Sequence, residues 1–256
     1  MKSRWSLYLL IGFFSLAVLS ATISAVIGAQ SQEADDDDDD DVLGHPPPPG
    51  VELRVFIHRP RVLKPNHLGS CTSTSASDDQ SNHFDVTPWH LSGPIIWRLN
   101  RSTVPKSLTG SVDGILDASF NTWYTRIFSQ GPDTNARAAR LDKVNAILWR
   151  NLSRSSIGAT YAWYSRSSGE LVEVDTLFNR RYPWAIFPDS PDCQSSPDAY
   201  DLQNFATHEF GHWVGLADLY DDSDKDLTMY GFSGGGEVKK RTLGTGDISG
   251  KNELRL

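Results

Sequence analysis

The chain has 256 residues, 11% of them aromatic, and a formal net charge of −8, which suits a domain with a sizeable core. Most of the charge is local: Lys2 and Arg4 against Glu33 and the seven aspartates Asp35–Asp41 give −6 in residues 1–41, leaving about −2 for residues 42–256. With no basic stripe in that near-neutral remainder, the electrostatic footprint of a nucleic-acid-binding protein is excluded.

Residues 1–29 read as a secretory signal peptide: two basic residues, an uncharged run from Trp5 to Ala29, and small residues near Ser24-Ala25 and Gly28-Ala29. The run is also long enough for a retained membrane anchor, although Ser15, Ser20, Thr22 and Ser24 dilute its second half and favour cleavage. Both readings place the rest outside the cytoplasm. Residues 30–50 form a disordered acidic and Pro-rich linker, because seven adjacent aspartates repel one another and Pro46–Pro49 is a stiff extended spacer. The Asp run is read as a solvated linker, with calcium capture or propeptide behaviour as the alternative.

Residues 51–92 are an N-terminal extension or propeptide. Val51–Ile57 alternates like a strand, and a Ser/Thr/Asp-rich loop covers Ser70–Ser81. His58, His67, His83 and His90 show no ligand spacing and read as surface or core residues. The two cysteines, Cys71 and Cys193, are expected to form one disulfide outside the cell.

Pro94–Asn100 predicts a strand. Ser107–Ser129 carries Leu108, Val112, Ile115, Leu116, Phe120, Trp123 and Ile127 at helical spacing, predicting an amphipathic helix that covers a sheet. Val144–Trp149 is a short apolar strand. Gly158–Tyr164 and Leu171–Phe178 read as a hairpin around Ser165–Glu170. A Pro-rich connection, Trp184–Ala199, leads to a helix starting near Asp198–Asp201, where aspartate can cap.

That helix carries His208-Glu209-Phe210-Gly211-His212, the pattern H-E-x-x-H. Four residues apart, His208 and His212 share one helical face and can reach one zinc ion at about 2.0–2.1 Å. Glu209 can deprotonate a water there without binding the metal. Gly215 can end the helix in a left-handed conformation, and the returning chain can bring Asp218 in as third ligand. Asp222-x-Asp224-x-Asp226 has the start of a calcium loop but lacks its glycine and final glutamate, so a solvated acidic loop is the reading, with Ca2+ the alternative. Leu243–Leu256 predicts a short closing helix.

H-E-x-x-H-x-x-G-x-x-D, with Met229 eleven residues after Asp218 in Leu227-Thr228-Met229-Tyr230-Gly231, resembles the metzincin clan of zinc endopeptidases. The wider text, Asp201 to His208, Thr228 to Gly231, Lys239 to Leu243 and Gly246 to Ile248, is most similar to secreted bacterial or archaeal matrixin-like peptidases. The resemblance covers roughly residues 93–256. Asp218 departs from the usual third histidine of matrixins and resembles the snapalysin-type variant.

The resemblance implies an α+β catalytic domain over 93–256: a twisted mixed sheet, a covering helix, an active-site helix and a C-terminal helix. The strand at Gly158–Tyr164 is then an exposed edge above the cleft, Met229 forms a hydrophobic floor beneath the metal, and Gly231–Gly236 helps to wall a substrate pocket. It also implies a secreted, monomeric metalloendopeptidase acting on proteins or peptides, with one catalytic zinc, metal ligands His208, His212 and Asp218, and general base Glu209. Matrixin zymogens can block zinc with a propeptide thiolate, but Cys71 lacks the Pro-Arg-Cys-Gly context of that switch. The alternative function is a catalytically silent zinc-containing binding module of the same fold.

Overall fold

The computed structural model describes residues 46–61, 76–108, 110–188 and 198–254. The apolar run Trp5–Ala29, the aspartate run, Cys71 and Cys193 lie outside the described residues. Among the described residues, no helix is long and apolar enough to cross a membrane.

The strands are β1 (Val51–Pro60), β2 (Ile95–Leu99), β3 (Phe128–Gln130), β4 (Asn145–Arg150), β5 (Gly158–Ser165), β6 (Leu171–Asn179), β7 (Trp184–Ala185), β8 (Tyr200–Asp201) and β9 (Phe232–Ser233). The helices are α1 (Val112–Trp123), α2 (Leu202–Val214) and α3 (Thr245–Leu254). The architecture is mixed α/β. A mostly parallel seven-stranded sheet has the order β3-β2-β4-β6-β5-β1-β9, and β7 and β8 form a separate parallel pair. Only β5 runs against its neighbours.

Helix α1 is shorter than the spacing over Ser107–Ser129 predicts. Ser111 caps it by accepting from the Gly114 N–H at 3.1 Å, and Tyr124 is extended. Leu108 before the helix is buried in the same core as the helix residues and Ile127 after it packs against that core, so the apolar period runs on past both helix ends. Helices α1 and α2 pack together over one sheet face, where the Phe120 and Phe210 rings stack at 3.6 Å. The other face carries Leu148, Tyr161, Trp163 and Leu177.

Helix α2 is buried at nearly every residue, so its ends must satisfy their backbone groups internally. Asp201 accepts from the Asn204 N–H at 2.8 Å. At the other end Gly215, at φ +111°, takes the left-handed conformation that only glycine adopts cheaply.

Strand β1 departs from the expectation of an exposed edge at Gly158–Tyr164. Val51 to His58 pair antiparallel with Ser165 to Gly158, and Arg59 and Pro60 pair parallel with β9, so β5 is covered on both sides. The physical reason is the alternation itself. Val51, Leu53, Val55 and Ile57 pack against the Tyr161 and Trp163 cluster, while Phe56 and His58 are buried in the opposite direction. A strand with uses for both faces is stable inside a sheet.

Candidate metal centre

Helix α2 sets His208 and His212 one turn apart, their ring centroids 5.0 Å from each other. A backbone carbonyl only accepts, so the tautomers follow from their partners. Nδ1–H of His208 donates to Thr228 O at 2.7 Å, and Nδ1–H of His212 donates to Leu216 O at 2.8 Å. Each ring thereby keeps a free lone pair on Nε2 and a fixed orientation.

Both Nε2 atoms face Asp218. Oδ1 of Asp218 lies 3.1 Å from that of His208 and 3.6 Å from that of His212. All three atoms are buried and without a hydrogen-bond partner. Leaving a buried polar atom unpaired costs about 1–3 kcal/mol, and here three point at one another. Donor atoms of a tetrahedral site with bonds of about 2.0–2.2 Å lie roughly 3.3 Å apart, a value that the two separations bracket. Two neutral imidazoles and a carboxylate thus form a buried group that could hold a metal ion.

The return of Asp218 follows from the Gly215 turn. Leu216 N–H bonds to Gly211 O at 2.9 Å, Ala217 N–H to Asp85 O at 2.9 Å, and Leu219 N–H to Met229 O at 2.9 Å. Tyr220 OH donates to Asp218 Oδ2 at 3.2 Å, which leaves Oδ1 for the cluster.

The turn that carries Thr228 is itself pinned. Buried Asp247 accepts from the N–H groups of Thr228 at 2.7 Å, Met229 at 3.0 Å and Gly244 at 2.8 Å. Met229 is buried against α2 at Gly211, where an added Cβ would lie 2.2 Å from Met229 Sδ and 2.8 Å from Trp123 Cζ2. Gly211→Ala should therefore destabilise the fold by about 1–3 kcal/mol through overpacking, despite a gain of about 1 kcal/mol in helix propensity. It should also weaken metal binding, since Met229 adjoins the carbonyl that orients His208. Urea unfolding and metal titration of the variant check both; unchanged stability would show that Met229 and Trp123 can yield.

Glu209 is fully buried and oriented by a directional chain. Trp213 Nε1–H can only donate, and it reaches Thr176 Oγ1 at 2.9 Å. Thr176 then donates to Thr160 at 2.7 Å, and Thr160 donates to Glu209 Oε2 at 2.6 Å. Oε1 of Glu209 has no partner. Burial pushes the Glu209 carboxyl up to about 8, against the Thr160 hydrogen bond that lowers it. Burial also raises the Asp218 carboxyl, lowers His212 to about 4 and holds His208 well below the ordinary histidine value. The imidazoles are thus neutral, the state that binds metal, and a divalent cation opposes the upward shift of the carboxylates.

His58, Thr160 and Lys240 complete the site without any signal in local spacing. His58 Nδ1 lies 3.7 Å from Glu209 Oε1, and His58, His208 and Glu209 form a second buried group able to hold a metal. Buried Lys240 donates through Nζ to Tyr230 O and through its backbone N–H to Asn204 Oδ1 at 2.7 Å, tying the Met229 region to α2. In the acidic loop, Asp221 and Asp224 gather with His83, whose Nδ1 is 2.8 Å from Asp224 Oδ2. No protein-family model matches the chain, and no curated protein matches it.

Proposed function

We propose that the chain is a zinc-dependent endopeptidase of metzincin type, with His208, His212 and Asp218 as metal ligands and Glu209 as general base. The observation that carries this reading is the convergence of three buried, unpartnered donor atoms, with Asp218 Oδ1 3.1 and 3.6 Å from the two histidine nitrogens, beside a carboxylate with one free oxygen. Met229 beneath the ligand helix, and Asp218 in the snapalysin-type position, support the same family.

When bound, zinc would supply Lewis-acid polarisation of the peptide carbonyl and make water a stronger acid. Glu209 Oε1 takes the proton of the attacking water and returns it to the leaving amine, while Thr160 holds Oε2. Both transfers use the one Glu209 oxygen that has no hydrogen-bond partner, so the same atom accepts and releases the proton within one cycle. Protein or peptide substrates and a secreted, monomeric chain belong to the same proposal.

Elemental analysis is expected to find about one zinc per chain, held by His208, His212 and Asp218. Chelation should lower the thermal midpoint, since a metal at about a hundred times its Kd adds about 2.7 kcal/mol. His212→Ala should abolish both effects, and cleavage of casein should be chelator-sensitive. Absence of zinc under loading conditions would sink the reading. Zinc without turnover, once the site is open, would favour the silent binding module.

A further inference from the structure

The converging donor atoms are enclosed, and much of what encloses them is β1. The Phe56 ring lies on the His212 imidazole, with centroids 4.0 Å apart and planes 12° from parallel, and Trp89 meets its edge at 5.7 Å. Two residues on, the His58 ring meets that of His208 edge-on at 3.9 Å. His58 Nε2 shares a hydrogen bond with Ser233 Oγ at 2.9 Å, and its unpartnered Nδ1 faces the free oxygen of Glu209.

The strand is gripped from both sides by backbone. Eight residues pair antiparallel with β5. Opposite, Arg59 N–H donates to Gly231 O at 3.3 Å and Arg61 N–H to Ser233 O at 2.7 Å. One extended segment therefore lies between a sheet edge and the stretch after Met229, with alternate side chains over the two ligand histidines. This is how an extended peptide is held by strand addition: the backbone supplies affinity and alternate side chains supply selectivity. It is also the path by which a peptide bond would reach Glu209 Oε1.

Resting on the peptidase reading, we propose that β5 and residues 231–233 form a track for an extended peptide running antiparallel to β5, with an aromatic side chain over His212, and that β1 is its resident occupant. The chain with β1 docked is then latent, because substrate and β1 need the same backbone edge. Phe56 marks the side-chain preference of the position over His212, where Trp89 supplies a second aromatic wall.

The test uses the full, zinc-loaded chain, its Phe56→Ala and Val55→Pro variants, and a fluorescein-labelled peptide of sequence Val51–Arg61. Proline at Val55 obstructs strand pairing, whereas Phe56→Ala keeps the backbone ladder and carries the comparison should the proline variant fail to fold. Both variants are expected to hold native zinc and to bind the labelled peptide at least about tenfold more tightly than the native chain, because apparent affinity scales with the fraction of open tracks. A peptide with alanine in place of Phe56 should bind at least about tenfold less tightly, if the ring is the anchor. Hydrolysis of a quenched peptide should rise in the same order as binding. Equal peptide binding by native chain and variants, or indifference to the aromatic residue, would overturn the proposal. If the native chain cleaves as fast as both variants, β1 is not in the substrate's path and the proposal fails while the peptidase reading stands. If binding follows the expected order but nothing is cleaved, the track stands and the peptidase reading fails.

Discussion

Glu209→Gln, made in the Phe56→Ala background, is expected to keep its zinc and lose about 10²–10⁴ in kcat/KM, the contribution of a positioned general base. The separation of the two effects follows from the site. Glu209 is not among the three residues whose unpartnered donor atoms converge; its Oε2 is engaged by Thr160 and its Oε1 stands free. The amide of glutamine can accept the Thr160 hydrogen bond through its oxygen, so shape and packing persist while the basic oxygen is replaced by a group that cannot take a proton. His212→Ala acts differently: it removes one of the converging nitrogens, and zinc with it. Elemental analysis and quenched-peptide kinetics on the same preparations separate the two behaviours. Cleavage at the parent rate by metal-verified Glu209→Gln protein would eliminate the assigned mechanism.

The helix of this site was legible because everything that defines it is local. Asp201 caps it, the H-E-x-x-H spacing sets two rings one turn apart, and Gly215 stops it in the left-handed region. The approach of Asp218 could also be anticipated, since the turn reverses the chain within three residues. Strand β1 was legible as a strand and illegible as a neighbour of β5. Alternation reports that one strand face is apolar, whereas the pairing of Phe56 with Thr160 is a non-local choice made by the whole sheet. His58 and Thr160 were missed for the same reason, since each gains its meaning only from the strand beside it. Helix α1 shows the converse error: Leu108 and Ile127 kept a helical rhythm because the core recruits them, although the chain around them is not helical. Gly211 is a further silent position. Only the packed helix reveals Met229 and Trp123 where a side chain would go.

Arg241→Ala is expected to cost about 3–5 kcal/mol, the penalty of leaving a buried charge without its partner. Both members are buried, with Arg241 Nε donating to Asp201 Oδ1 at 2.8 Å and Nη2 to Oδ2 at 2.6 Å. The same Nη2 also donates to Phe187 O at 2.8 Å. Asp201 meanwhile caps α2 and accepts from the Phe187 N–H at 3.0 Å. Removing the guanidinium strands that carboxylate at the N-terminus of the ligand helix, so the damage is expected to reach zinc affinity as well as global stability. For a domain of this size the thermal midpoint should fall on the order of 10 °C. Asp201→Asn combined with Arg241→Met removes both charges while keeping a capping side chain, and should recover most of the loss, because a buried ion pair is worth little against neutral groups of similar shape. Urea unfolding of the two variants decides the matter. If the single substitution costs less than about 1 kcal/mol, the pair behaves as a solvated surface bridge and is not what fixes the start of α2.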